Sequence, residues 1–425
     1  MGHQIQQELV MPAGTLEKLK FACAYGADAV YAGIPKFSLR ARTNSFTEEQ
    51  LAEGIEYAHE RGKYVYVTLN IFAHNNRIEP SLRALRTLMV LNPDAVIMSD
   101  PGLILYARQE FPDLEIHLST QANTMNWAAV EFWKLQGIQR VILPRELSIA
   151  EIREIHERVP AVDLEVFVHG AMCISYSGRC LLSSYITNRD ANLGVCTNSC
   201  RWQYALHERE TELVLEERER PGKFFPIDED EHGTYIMNSK DLCAIEHVRE
   251  LWDAGVKGLK IEGRTKSVYY LANIGRAYRK ALDTIAKGLP FDKTVWNDIY
   301  ATASREFTTG FLHKIPEESR QNYERGYSSY SRYRFGGVVR NYEPESSLVE
   351  VEVKNRIACG DVVEFTMPKR SFSQTVQTMY DMNRSPLVIA HGGGMHILMK
   401  VDQAVEPYTL LRLPLSDTEG EEKRP

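Results

Sequence analysis

ELVMPAGTLEKLKFACAYGADAVYAG, residues 8–33, holds two short apolar runs on either side of an amphipathic segment. The runs Glu8–Met11 and Asp28–Gly33 are strand-sized and nearly continuous, as in parallel strands buried on both faces. Between them, TLEKLKFACAYG opens on Thr15, whose hydroxyl can cap a helix. It stops at Gly26, which accepts the left-handed backbone that ends one. Strand, helix and strand together make the repeating unit of an α/β fold.

The unit returns along the chain. Further apolar runs stand at Tyr64–Asn70, Asp94–Ser99, Glu115–Ser119, Arg140–Pro144 and Asp163–His169. Two more follow an insertion, at Tyr235–Asn238 and Val256–Ile261. TEEQLAEGIEYAHERG, from Thr47 to Gly62, is a second capped, Gly-terminated helix. Residues 1–290 are therefore expected to form a (β/α) TIM-like barrel, with a doubly wound open sheet as the alternative. Nine strand candidates exceed the eight of a closed barrel, so one is either no strand or lies outside the ring. The strongly acidic stretch 207–233 reads as an inserted surface excursion or a lid. A helix is expected over Ser267–Gly288 and a helical linker over residues 291–334. From Phe335 short alternating strands predict a small all-β C-terminal barrel domain over residues 335–415, and 416–425 form a charged tail.

With 425 residues, 44% of them hydrophobic, the chain has room for two or three well-packed domains. Its apolar runs are too short to span a membrane. The net charge of −7 argues against a broad nucleic-acid coat but leaves room for a local basic groove. MGHQIQQELVMPAG has neither a basic start nor an apolar stretch, so a cytoplasmic location is expected.

Four of the seven cysteines fall within FVHGAMCISYSGRCLLSSYITNRDANLGVCTNSCRW, as Cys173, Cys180, Cys196 and Cys200. Thiols gathered in this way point to a shared iron–sulfur cluster. Structural zinc is an alternative, although only Cys196 and Cys200 have zinc-like pair spacing. Disulfides and buried packing thiols are the other readings. In a barrel, strand ends carry the active site, and here those ends are polar. They include Asn70, Ser119 to Asn123 with Gln121, Arg145-Glu146, His169-Gly170, Asn238 to Asp241 with Lys240, and Lys260 to Arg264. The cysteine cluster and this polar ring should share one face.

Strand alternation puts Lys260 and Glu262 on one face with Arg264 just beyond, a set that suits an anionic substrate or a structural salt-bridge knot. It also puts Glu165, Phe167 and His169 on one face. His169 then reads as an acid/base, a donor near the cluster, or a satisfied core histidine. Arginines and aromatics mix in SLRARTNSF (38–46) and YERGYSSYSRYRF (323–335), a combination suited to RNA phosphates and bases. No phosphate-binding glycine loop, serine-hydrolase elbow or H-E-x-x-H zinc helix is present.

PAGTLEKLKFACAYGADAVYAG, STQAN, LPRE, EVFVHGAMCISYSGRCLLS, CRW, NSKDL and KIEGRTKS together resemble family 32 of the unclassified peptidases, the collagenase-like U32 group. The resemblance runs from about residue 8 to about residue 415. It implies a [4Fe–4S] cluster on Cys173, Cys180, Cys196 and Cys200, with Cys243 as a possible replacement for Cys200. It implies an RNA-modifying branch of the group, hydroxylating the wobble uridine of tRNA to 5-hydroxyuridine with prephenate as donor, and iron–sulfur assembly machinery as a further partner. On that reading His169, Glu165, Lys260 and Glu262 are catalytic. Arg264, Arg145, Gln121 and Lys240 bind the carboxylate donor or tRNA. A collagenase-like peptidase and a noncatalytic iron–sulfur or zinc scaffold are the alternatives.

Overall fold

The structure is a computed structural model. It describes residues 7–34, 46–173, 175–180, 183, 191, 196, 214–216, 224–226, 228–230, 233–235, 240–303, 307–313 and 332–415. Strands β1 (Glu8–Pro12), β2 (Ala29–Gly33), β3 (Tyr64–Leu69), β4 (Ala95–Met98), β5 (Ile116–Leu118), β6 (Arg140–Ile142) and β7 (Asp163–Ala171) lie side by side in chain order, all parallel. β8 (Asp241–Cys243) runs antiparallel to the end of β7. β9 (Val256–Ile261) pairs in parallel with both β7 and β1 and closes an eight-stranded ring. The barrel is therefore shown, and the open sheet is not. Of the ninth strand candidate only Tyr235 is among the described residues, and it ends a separate two-stranded hairpin formed by Asp228–Asp230 and Gly233–Tyr235, while the eight others close the ring.

Local chemistry explains the helices around the ring. α1 (Leu16–Ala24) starts at Thr15, whose hydroxyl accepts from the Lys18 N–H, and α2 (Glu48–His59) starts at a full Thr47/Gln50 capping box. α3 (Asn75–Val90) and α4 (Pro101–Glu110) follow, the latter with Pro at its first position and Asp100 as its cap. α5 (Trp127–Leu135) is capped by Asn126, and α6 (Ile149–Arg158) by a Ser148/Glu151 box. Strand residues such as Leu9, Met11, Val65, Val67, Val166 and Val168 pack outward against these helices in the main core. Alternate residues, among them Val10, Tyr31, Tyr66, Ile142 and Phe167, fill the barrel interior.

After β8 come α7 (Val248–Asp253), α8 (Val268–Ala286) and α9 (Val295–Tyr300), then β10 (Phe307–Thr308), which pairs with β8. The expected linker therefore contains a helix and a strand that belongs to the barrel sheet. Residues 333–414 form an eight-stranded antiparallel sheet curled as a half-barrel around a core that includes Val351, Phe365, Ile397 and Leu411. It docks on α1 and α8: the Tyr25 hydroxyl donates to the carbonyls of Thr366 (2.8 Å) and Tyr408 (2.9 Å). Buried Arg412 bonds Asn273 (2.9 Å), Asp298 (3.1 Å) and Glu364 (2.8 Å).

Candidate active site at the barrel mouth

A buried charge ladder runs up the barrel interior. At its base the Arg140 guanidinium meets Glu8 at 2.7 Å, Asp163 at 3.2 Å and Glu165 at 3.4 Å, while the Tyr66 hydroxyl donates to Glu8 at 2.9 Å. Lys260 donates to the other Glu165 oxygen at 2.6 Å. Both side chains are almost wholly buried. Desolvation works against the Glu165 carboxylate, but Lys260 and Arg140 outweigh it and hold its pKa below the ordinary value. Desolvation lowers the Lys260 ammonium, with Glu165 opposing. The pair stands as an ion pair, so Lys260 spends its charge on Glu165 and serves as the floor of the site.

Above that floor the cations meet aromatic faces. Lys260 Nζ lies 4.1 Å from the centre of the Tyr31 ring, and the Arg145 guanidinium lies 4.0 Å from that of Phe167. Arg145 also faces Glu262 at 3.6 Å, and Arg264 donates to the Thr68 hydroxyl at 3.0 Å. Asn70 donates to Ser119 (3.2 Å) and to the Gln121 side-chain oxygen (3.1 Å), which the Ser119 hydroxyl also bonds. Lys240 is buried just before β8, whose Asp241 pairs with Ala171 at the outer end of β7. Six expected residues, Gln121, Arg145, Lys240, Lys260, Glu262 and Arg264, therefore gather at or just beneath the strand ends.

The first cysteine loop closes over the same end. The Ser177 N–H donates to Glu146 at 2.9 Å, and Thr120 donates to the Ser177 hydroxyl at 3.4 Å. Gly178, at φ +70°, sits so close that a β-carbon there would be 2.3 Å from the Gln121 carbonyl oxygen. Cys173 is exposed and Cys180 half-buried on this loop, and Cys196 is exposed. Cys200 lies outside the described residues, as do most of the two Arg-aromatic stretches.

His169 corrects the expectation of one shared face. Its ring packs against Tyr278 (5.6 Å between centres), Tyr270 (6.0 Å) and Phe307 (5.6 Å), on the helix side of the wall. The cause is a register shift: Lys260 pairs with Phe167, but the next residue, Ile261, pairs with His169. The extra residue breaks the alternation, so Val168 and His169 both face outward. Desolvation pulls the imidazole pKa down to about 3, keeping it neutral in the core. Cys243 lies on the same outer side, buried, with its thiol pushed up to about 12 by desolvation. Sequence reading missed Glu8, Tyr31, Tyr66 and Arg140. Their signal was polar or aromatic residues at inward positions of otherwise apolar strands.

The profile of Peptidase family U32 matches residues 14–322, and that of its C-terminal domain matches residues 331–412. The chain belongs to peptidase family U32. This U32 chain is 46% identical to tRNA hydroxylation protein P of Escherichia coli K12, over 95% of this chain and 96% of the relative. It is 43% identical to tRNA hydroxylation protein P of Haemophilus influenzae, over 98% of each. The 23S rRNA 5-hydroxycytidine C2501 synthase of E. coli K12 is 34% identical over 65% of this chain, which corresponds to 39% of that larger protein. Among the described residues no helix of this U32 chain is long and apolar enough to cross a membrane.

Proposed function

We propose that the chain is an RNA-modifying hydroxylase acting on tRNA. The observation that carries the reading is the similarity to tRNA hydroxylation proteins, which runs through both the barrel and the β domain. The finer reading is formation of 5-hydroxyuridine at the wobble position with prephenate as donor. Arg145 and Arg264, at the strand ends, would hold the donor's carboxylates. Glu262, partly exposed and 3.6 Å from Arg145, is placed to take or return a proton.

The donor chemistry of the cysteine loop fits a [4Fe–4S] cluster. Cys173, Cys180 and Cys196 are thiols on accessible chain at or beyond the end of β7, and with Cys200 they complete a four-sulfur set. Such a cluster supplies one-electron transfer. Cys243, buried on the helix side of the wall, is the alternative to Cys200 as fourth ligand.

The test is nucleoside mass spectrometry of tRNA from a strain lacking the gene, complemented with the chain. Wild type should restore a wobble uridine one oxygen heavier, and Arg264→Ala should reduce it at least tenfold with protein levels unchanged. Unmodified uridine under wild-type complementation would sink the proposal; full modification by Arg264→Ala would sink the anion-holding role alone.

A further inference from the structure

Apart from the polar residues gathered at the mouth, three metal-ligating side chains converge on one point. His247 closes the turn Ile245–His247, Glu250 follows in α7, and His313 lies five residues beyond β10. His247 Nδ1 lies 2.8 Å from a Glu250 oxygen and 3.0 Å from His313 Nε2. His313 Nε2 lies 4.0 Å from the other Glu250 oxygen. Their ligand atoms all fall within 4.8 Å of one another, the one such group of His, Cys, Asp and Glu among the described residues. From these contacts we propose that His247, Glu250 and His313 bind a divalent transition-metal ion of the zinc type.

Hydrogen bonding alone serves this arrangement poorly. His247 Nδ1 faces a carboxylate oxygen and a second ring nitrogen at once, and it carries either one proton or one lone pair. If it donates to Glu250, the same proton must also serve His313; if it accepts from His313, its lone pair opposes the carboxylate. A cation between the three satisfies every lone pair together. The spacing agrees. Tetrahedral zinc with bonds of about 2.0–2.1 Å sets its ligand atoms about 3.3 Å apart, and the two contacts of His247 Nδ1, 2.8 Å to a Glu250 oxygen and 3.0 Å to His313 Nε2, lie within about half an ångström of that.

Two imidazoles and a carboxylate select Zn²⁺, Co²⁺ or Ni²⁺ over Mg²⁺ or Ca²⁺, which prefer all-oxygen sets. The side chains are 21%, 48% and 34% exposed for His247, Glu250 and His313, which leaves room for water as a fourth ligand. The ion would tie α7 to the segment after β10. Trp296 of α9, donating to Glu246 at 2.9 Å, already fastens a neighbouring point of this seam. None of the three residues belongs to the mouth, so the site neither needs nor tests the hydroxylase reading.

The experiment titrates Co²⁺ into the full chain and reads its visible ligand-field bands, which separate imidazole–carboxylate sites from thiolate sites by the absence of sulfur charge transfer. Wild type with its accessible cysteine thiols alkylated should bind one Co²⁺ without a thiolate band, and Zn²⁺ should displace it. His313→Gln and Glu250→Gln should each weaken that binding at least about tenfold. Zn²⁺ should raise the melting temperature of wild type and leave that of His313→Gln unmoved. Both positions are partly exposed, so metal-free melting reports whether each variant is folded. Equal Co²⁺ affinity in wild type and both folded variants, or thiolate-type binding alone, overturns the proposal.

Discussion

His169 shows how one side chain can change role by turning through a wall. Its Nδ1 sits 3.3 Å from the Tyr278 hydroxyl, which also donates to the Val168 carbonyl at 2.8 Å, so the imidazole is a packed, neutral core group. In the unfolded chain it takes a proton near pH 6.5, whereas in the fold it resists down to about pH 3. Its contribution to stability is therefore whole above pH 6.5 and is lost as the pH falls toward 3, at about 1 kcal/mol per pH unit. His169→Gln should flatten this part of the acid limb, read as urea midpoints between pH 6.5 and 4; an unchanged slope would show that the imidazole is not the group responsible. The cysteines divide along the same wall. Cys180→Ala should strip most iron from anaerobically purified protein, while Cys243→Ser should leave iron content intact and cost only packing. Iron loss in Cys243→Ser would move the fourth ligand there.

At the scale of elements, β7 does more than any other strand. It pairs with β6, β8 and β9, and it carries Glu165 and Phe167 inward before the bulge turns His169 outward. Gly170 makes the crowded end possible. It adopts φ +104°, and a β-carbon there would lie 2.5 Å from the Glu262 carbonyl oxygen. Gly170→Ala should lower stability by about 1–3 kcal/mol through backbone strain and the clash. Because the shift bears on Glu262 and the strand leading to Cys173, tRNA modification should fall further than stability alone explains. Denaturant midpoints and nucleoside analysis of the same variant check both parts; wild-type values in each would show that the chain end relaxes freely.

Across the whole molecule, the β domain and the barrel behave as one packed body because charge is buried between them. Arg412 reaches from the last strand of the β domain to Asn273 and Asp298 on the barrel side, while also holding Glu364 in its own sheet. Arg276 bonds Asp298 at 2.8 Å from the other direction. Arg412→Ala strands the Glu364 carboxylate and leaves Asp298 to Arg276 alone in a dry seam, and should cost about 3–5 kcal/mol. In calorimetry the single transition expected for coupled domains should broaden or split. A variant that melts like wild type would show that Tyr25 and the apolar contacts around Phe21 and Tyr269 hold the seam unaided.

The sequence by itself determined the barrel, the β domain, the helix caps at Thr15 and Thr47, the family and the segment bearing the cysteines. Those features depend on neighbours a few residues apart, where side-chain periodicity and capping chemistry act. It also drew attention to the polar strand ends, including Gln121, Arg145, Glu262 and Arg264. Only the tertiary structure decided which of nine strand candidates stay in the ring, that Lys260 is bound to Glu165 from 95 positions away, and that His247, Glu250 and His313 meet. It alone revealed that an inserted residue at β7 sends His169 to the helix layer. The physical reason is register: closing a ring of eight strands sets which distant residues face one another, and a shift of one residue reverses the face that a local pattern assigns.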